Sequence, residues 1–306
     1  MAETVKKPAD YILPLYMNGL QGRMLRIPPK RGKKREILFI YGHHSSLERV
    51  YGVAEYLNKY GGVTIPDLPG FGGMQSFYKI GEEPTLDNMA DYLAAFIKLR
   101  YRNKRLTMAG TSLGFMIVTR MLQKYPELAK KIDLLVSMAG FTNKKDFIFK
   151  RSTFLLFRSA APFLSGRIMS SFIRHILFRK IFIRFAYRLV ESKHSKLRQH
   201  GKQARRERID FEINLWQSND VRTYMKMGET MLNLNLRGKH IDLPVYHVSI
   251  ANDRYFDNVR VEQHMREIYK DFHHLWAHVP AHSPSVVATA KEAEPYIPIT
   301  LRRLLK

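Results

Sequence analysis

The 306-residue chain has no cysteine. Disulfides, thiolate nucleophiles and Cys-ligated zinc or iron–sulfur centres are thereby excluded. Long apolar runs are lacking too: no window approaches the roughly 18 residues of a membrane-spanning helix. The opening "MAETVKKPADYILPLYMNG" holds no apolar stretch of signal-peptide length. The expectation is a cytoplasmic protein, soluble or peripheral at the inner membrane surface. Acidic residues are scarce: 27 Asp and Glu face 51 Lys and Arg, a formal net charge of +24. Such a field favours anionic partners, whether nucleic acid, acidic lipid or a polyanionic substrate. Where the charge sits decides among them.

What is present reads as globular, with 45% hydrophobic and 25% charged residues. Residues 11–28 predict a hairpin about Asn18-Gly19. A buried strand at 35–42 follows, then a helix over 46–59 and a strand from 61 that ends in a Gly/Pro-rich loop. A helix over 85–100 opens on a Thr or Asp cap, and "RLTMAG" is a strand. A helix over 112–131 and a strand over 132–141 complete the first half. After a break at 142–241 the alternation resumes with a strand (243–253), a helix (259–272), a strand (274–282) and a terminal helix. Alternating strands and helices predict an α/β fold, a mostly parallel eight-stranded sheet with helices on both faces. Its core spans 1–141 and 242–306, with a helical cap or lid at 142–241.

"TMAGTSLGFM" (107–116) sets Ser112 between Gly110 and Gly114, at a strand-to-helix junction. A serine hydroxyl is a weak nucleophile that needs a base, and the base needs an orienting acid. Small flanking residues let the backbone fold back at a sharp turn, so this elbow is where such a serine is useful. The partners follow in the order Ser, acid, His: Asp253 in "SIANDRYFDN" and His282 in "VPAHSPS", both where strands run out at the sheet's carboxyl edge. Asp257 is a rival acid and Asp146 a more distant one.

With "FIYGHHSS", "DLPGFGGM" (67–74) and "GTSLG" in hand, the chain resembles the α/β-hydrolase family over nearly all of its length outside the insertion. The resemblance implies Ser112 as nucleophile, His282 as general base and Asp253 as acid. It implies an oxyanion hole of the main-chain N–H groups of His43 and Leu113. Tyr41 stands where the family usually has His, a mild departure in a loop used through its backbone. The adjacent His43 and His44 lack Asp, Glu or Cys neighbours at metal spacing, so neither a metal nor a cofactor is expected. His44, Phe154 and Phe157 are candidate substrate contacts. Asp67 is expected to structure its own loop, and His273, His274 and His278 to be packed or surface residues.

The insertion concentrates the charge, with 22 Lys and Arg against 7 Asp and Glu over 142–241. From Phe147 to Val190 there is no acid at all, while nine basic residues and nine of the 18 Phe lie there. A helix over 168–190 would gather Arg174, Lys180, Arg184 and Arg188 on one flank. Three readings compete: a lid whose aromatic face lines an acyl pocket, an interfacial helix on anionic lipid, and a nucleic-acid surface. Phe and Ile at helical spacing favour buried packing, so the lid ranks first, an anionic membrane second, and nucleic acid is not expected. The function these residues predict is a serine hydrolase that cleaves a carboxylic ester, apolar or lipid-like, through an acyl-enzyme. An elbow serine argues against the dehalogenase and epoxide-hydrolase branches, which the resemblance implies use aspartate there. The alternative is a non-catalytic ligand- or membrane-surface-binding protein on the same fold.

Overall fold

The computed structural model describes residues 7–190, 202–279, 281–282 and 289–306. β1 (Ile12–Met17) and β2 (Leu20–Ile27) form the antiparallel hairpin. Its turn places Asn18 and Gly19 at φ 52° and 76°, a left-handed pair that these two residues tolerate. β3 (Arg35–Ile40), α1 (Tyr51–Leu57), β4 (Gly61–Pro66), α2 (Leu86–Arg100), β5 (Leu106–Thr111), α3 (Leu113–Lys124) and β6 (Ile132–Met138) then alternate. The Thr85 side chain caps α2 by accepting from Asn88 N–H. α3 ends at Lys124, short of the expected 131. Pro126 removes an N–H, and Tyr125 before it leaves the helical region at φ −128°, ψ 69°.

Among the described residues, the helices between β6 and β7 are α4 (Arg151–Ser165), α5 (Arg167–Phe172) running into a π turn, α6 (Lys180–Val190), α7 (Lys202–Ser218) and α8 (Val221–Asn233). β7 (Val245–Ile250), α9 (Asn258–Arg266), β8 (Phe272–Ala277), α10 (Ala290–Ala293) and α11 (Ile299–Leu305) complete the chain. The strand order is β1-β2-β4-β3-β5-β6-β7-β8, antiparallel at the hairpin end and parallel from β4 to β8. The predicted eight-stranded sheet is therefore present, with strands shorter at their ends than the sequence suggested. Every residue of β4 is buried, as an interior strand of a parallel sheet requires.

Among the described residues, two seams hold the helices of the insertion to one another. α4 packs on α8 through the small residues Ala161 and Ser165, and Ile183 of α6 packs with Ile209 and Ile213 of α7. Met227, Leu234 and Leu236 join the main core. The expectation that the Phe and Ile residues here are buried is corrected: Phe157, Phe163, Phe172, Phe182, Phe185, Ile168, Ile176 and Ile181 are exposed. Their helices carry wider apolar faces than one neighbouring helix can cover. Among the described residues, no helix is long and apolar enough to cross a membrane.

Candidate active site

The parallel strands deliver their carboxyl ends to one edge, and the chemistry gathers there. At the end of β5, Ser112 is turned into a sparsely populated conformation, φ 50° and ψ −118°. A non-glycine residue in this region costs about 1–3 kcal/mol. The turn is held by Ser112 N–H donating to Met138 O at 3.2 Å, while Ser112 O accepts from Phe115 and Met116 N–H. The flanking glycines are required by space. A Cβ on Gly114 would stand 2.3 Å from Ile40 O and 2.5 Å from Tyr41 O. One on Gly110 would stand 2.7 Å from Phe115 Cα. Ser112 also sits at the N-terminus of α3, where the orphan N–H groups and helix dipole favour developing negative charge.

Beyond β7 and β8, Asp253 and His282 meet. The His282 Nδ1 to Asp253 Oδ2 distance is 2.6 Å, and the Asp253 side chain is 2% exposed. Oδ1 of the same carboxylate accepts from Tyr255 N–H at 2.8 Å and Phe256 N–H at 3.4 Å. The rings of Tyr255 and Phe256 wall the imidazole at 5.2 and 5.4 Å. With Nδ1–H committed to Asp253, Nε2 carries the lone pair a base needs. Ser112 and His282 line the same cavity, though no hydrogen bond joins them in this structure. Such contacts often tighten only when substrate is bound.

The rival acids are occupied elsewhere. Asp257 caps α9, accepting from Val259 and Arg260 N–H and pairing with the Arg260 guanidinium. Asp146 is buried against His264 Nδ1 and accepts from Thr142 and Asn143 N–H.

Gly42 lies against the elbow: a Cβ there would be 3.4 Å from Ser112 Cβ. Next to it, the His43 ring reaches across to the insertion, donating from Nε2 to Tyr224 O at 2.8 Å. Burial pulls its pKa down to about 4, so the ring is neutral near pH 7. Tyr41, in place of the family's His, is fully buried; its hydroxyl donates to Asp67 Oδ1 and accepts from Leu68 N–H. Burial pushes the Asp67 carboxyl up to about 8, against the pull of Arg23 and Tyr41. Asp67 thus braces its own loop.

The cavity has a volume of about 510 Å³, within the range of small-molecule sites. Its apolar wall comes from Phe147, Trp216, Tyr224, Met231, Tyr255 and Phe256. Phe154 and Phe157, expected as substrate contacts, are not among its lining residues. α4 turns Phe157 outward, where it meets Phe149 edge-on at 5.7 Å. His44 does line it, with Nε2 2.8 Å from Glu212 Oε2. Glu212 also binds Arg49 at 3.2 Å and the Tyr187 hydroxyl at 3.0 Å. Burial opposes its charge, but His44, Arg49 and Tyr187 outweigh that and hold the carboxyl at about 2. This buried cluster was missed in the sequence. Its signal is an acid on the apolar stripe of Ile209, Ile213 and Trp216.

Against known families, the profile described as "Serine aminopeptidase, S33" matches residues 32–280. The chain belongs to this family of α/β hydrolases. Among curated proteins, none matches this chain in sequence. Solved structures similar to it include an esterase from Thermogutta terrifontis, 18% identical, covering 96% of both chains with a TM-score of 0.61. An epoxide hydrolase from Bacillus megaterium is 13% identical, covers 96% of this chain and 98% of its own, and scores 0.63. A deformylase from Pseudomonas putida S16 is 17% identical, covers 89% and 93%, and scores 0.60. At these identities the likeness is one of fold, and three different reactions on it leave the choice of substrate to the site itself.

Proposed function

We propose that this hydrolase cleaves carboxylic esters with an apolar acyl chain, through an acyl-enzyme on Ser112. The observation that carries the proposal is the Asp253–His282 pair facing the same cavity as a serine held in a strained elbow. In this reading His282 Nε2 takes the Ser112 proton as Oγ attacks the ester carbonyl. The N–H groups of His43 and Leu113 hold the oxyanion, and Asp253 stabilises the imidazolium. His282 then passes its proton to the departing alkoxide. Water, activated by the same imidazole, releases the acid.

An ester suits the site for two reasons. The aromatic wall accepts an acyl chain, and the helical insertion closes the cavity as a lid through Tyr187, Trp216, Tyr224 and Met231. The serine at the elbow favours acyl transfer over epoxide opening. The test is a series of p-nitrophenyl esters from acetate to laurate, with Ser112→Ala as control. The expected result is turnover that improves with chain length and vanishes in Ser112→Ala. No turnover at any length would instead support the non-catalytic binding protein.

A further inference from the structure

Outside the cavity, the most unusual feature is the outer surface of α4, α5 and α6. Among the described residues, twelve of the twenty exposed large hydrophobic side chains lie between Ile148 and Phe185. The most exposed are Ile168 at 87%, Ile181 at 74%, Phe163 at 66% and Leu156 at 64%. Monomeric proteins rarely leave so much contiguous chain uncovered without a partner.

The arrangement on each helix is regular. On α4 the buried Ala161 and Ser165 face α8, and helical spacing places Leu156 and Phe163 on the opposite side. Arg151 and Arg158 are exposed on the edge nearer α8, where Arg158 donates to Asn233 Oδ1 at 2.8 Å. On α6, Ile183 faces α7 and Tyr187 lines the cavity. Ile181 and Phe185 project the other way, with Arg184 on the flank, paired with Asp210 of α7, and Lys180 exposed on the edge nearer α7. The same short helix therefore has one side on the active cavity and the other on this surface.

We infer that the outer face of α4–α6 docks on an anionic lipid bilayer, with Leu156, Phe163, Ile181 and Phe185 entering the acyl boundary and the basic flanks at the headgroups. Charge complementarity selects this occupant. No Asp or Glu occurs from Phe147 to Val190. Arg151, Arg158, Arg167, Arg174, Arg179, Lys180 and Arg184 are all exposed, and among them only Arg184 pairs with a described carboxylate, Asp210. Apolar poles beside Lys and Arg are the chemistry of an interfacial helix. A second copy of the chain would set this positive face against itself, as an isologous contact must. Nucleic acid would meet Leu155, Leu156, Ile168 and Ile181, which neither stack on bases nor pair with phosphates.

The proposal is independent of the acyl-transfer reading, because docking is measured with Ser112→Ala protein as well. The full chain is sedimented with vesicles of phosphatidylcholine alone and of phosphatidylcholine containing phosphatidylglycerol. Binding is expected to be about tenfold or more stronger to the anionic vesicles and to weaken as salt rises. The quadruple change Leu156→Ser, Phe163→Ser, Ile181→Ser and Phe185→Ser should abolish it, and Arg151→Gln with Arg158→Gln and Lys180→Gln should cut it at least tenfold. Both variants should keep wild-type circular dichroism, melting and turnover of a soluble short-chain ester. Equal binding to neutral and anionic vesicles, or binding unchanged in the quadruple variant, would overturn the inference. So would a concentration-dependent dimer that the quadruple variant dissolves, or a DNA oligonucleotide bound as tightly as the anionic vesicles.

Discussion

Replacing Gly114 by alanine separates two effects of opposite sign. Gly114 lies in the first turn of α3, where alanine is favoured over glycine by about 1 kcal/mol. Its new methyl, however, would sit 2.3 and 2.5 Å from the carbonyl oxygens of Ile40 and Tyr41. Both obstacles are main chain, so neither can rotate away, and overpacking of this kind costs about 3 kcal/mol. The clash wins, leaving a net loss of about 2 kcal/mol and a melting midpoint roughly 4 °C lower. Relief requires the 40–43 segment to move from the elbow. Because that segment carries the His43 N–H, kcat/KM for an ester should fall roughly 100-fold. Gly228→Ala, in the middle of α8 with nothing within 4 Å of the added methyl, is the matched control. It should raise stability by about 1 kcal/mol and leave turnover unchanged. Calorimetry and ester kinetics on the two proteins decide the matter. A Gly114→Ala protein as stable and active as Gly228→Ala would refute the close approach of β3 and the elbow.

Asp253→Asn should lower kcat by about 10³- to 10⁴-fold with little change in KM, since the imidazole loses the partner that fixes its tautomer. Asp257→Ala should instead cost about 1 kcal/mol of stability through loss of the α9 cap, with kcat intact; the reverse pattern in kinetics would reassign the acid. Glu212 is held at about 2 against an ordinary 4.5, so it stabilises the folded state by about 3 kcal/mol above pH 4.5, and this is lost as the pH falls from 4.5 towards 2. Glu212→Gln should therefore be less stable at neutral pH and lose less stability than the parent across that acid range in urea titrations, since Glu36, Glu48, Asp87 and Glu262 still titrate there; parallel curves for the two proteins would contradict the assignment.

The sheet was legible because its strands are continuous apolar runs and its helices carry 3.6-residue periodicity, signals that survive in a single sequence. The elbow was legible because Gly110 and Gly114 answer contacts close along the chain or on the adjacent strand. Choosing Asp253 over Asp257 needed the resemblance, since the two lie four residues apart in one loop and spacing cannot say which becomes a helix cap. The pocket wall was not legible. Periodicity shows that α4 and α6 have apolar faces, but not which face finds a neighbour, so Phe154 and Phe157 were expected at the cavity that Phe147, Trp216 and Tyr224 line. The resemblance assigned His43 a role only through its main-chain N–H, whereas its ring ties the loop after β3 to α8 through a carbonyl that no sequence pattern marks.

The central claim is that Ser112 is an activated nucleophile with His282 as its base. Incubation with a fluorophosphonate followed by mass spectrometry of the digested protein tests it directly. One adduct is expected, on the peptide carrying Ser112, formed far more slowly in His282→Ala and not at all in Ser112→Ala. An unlabelled protein, or an adduct that forms equally fast without the imidazole, would contradict it.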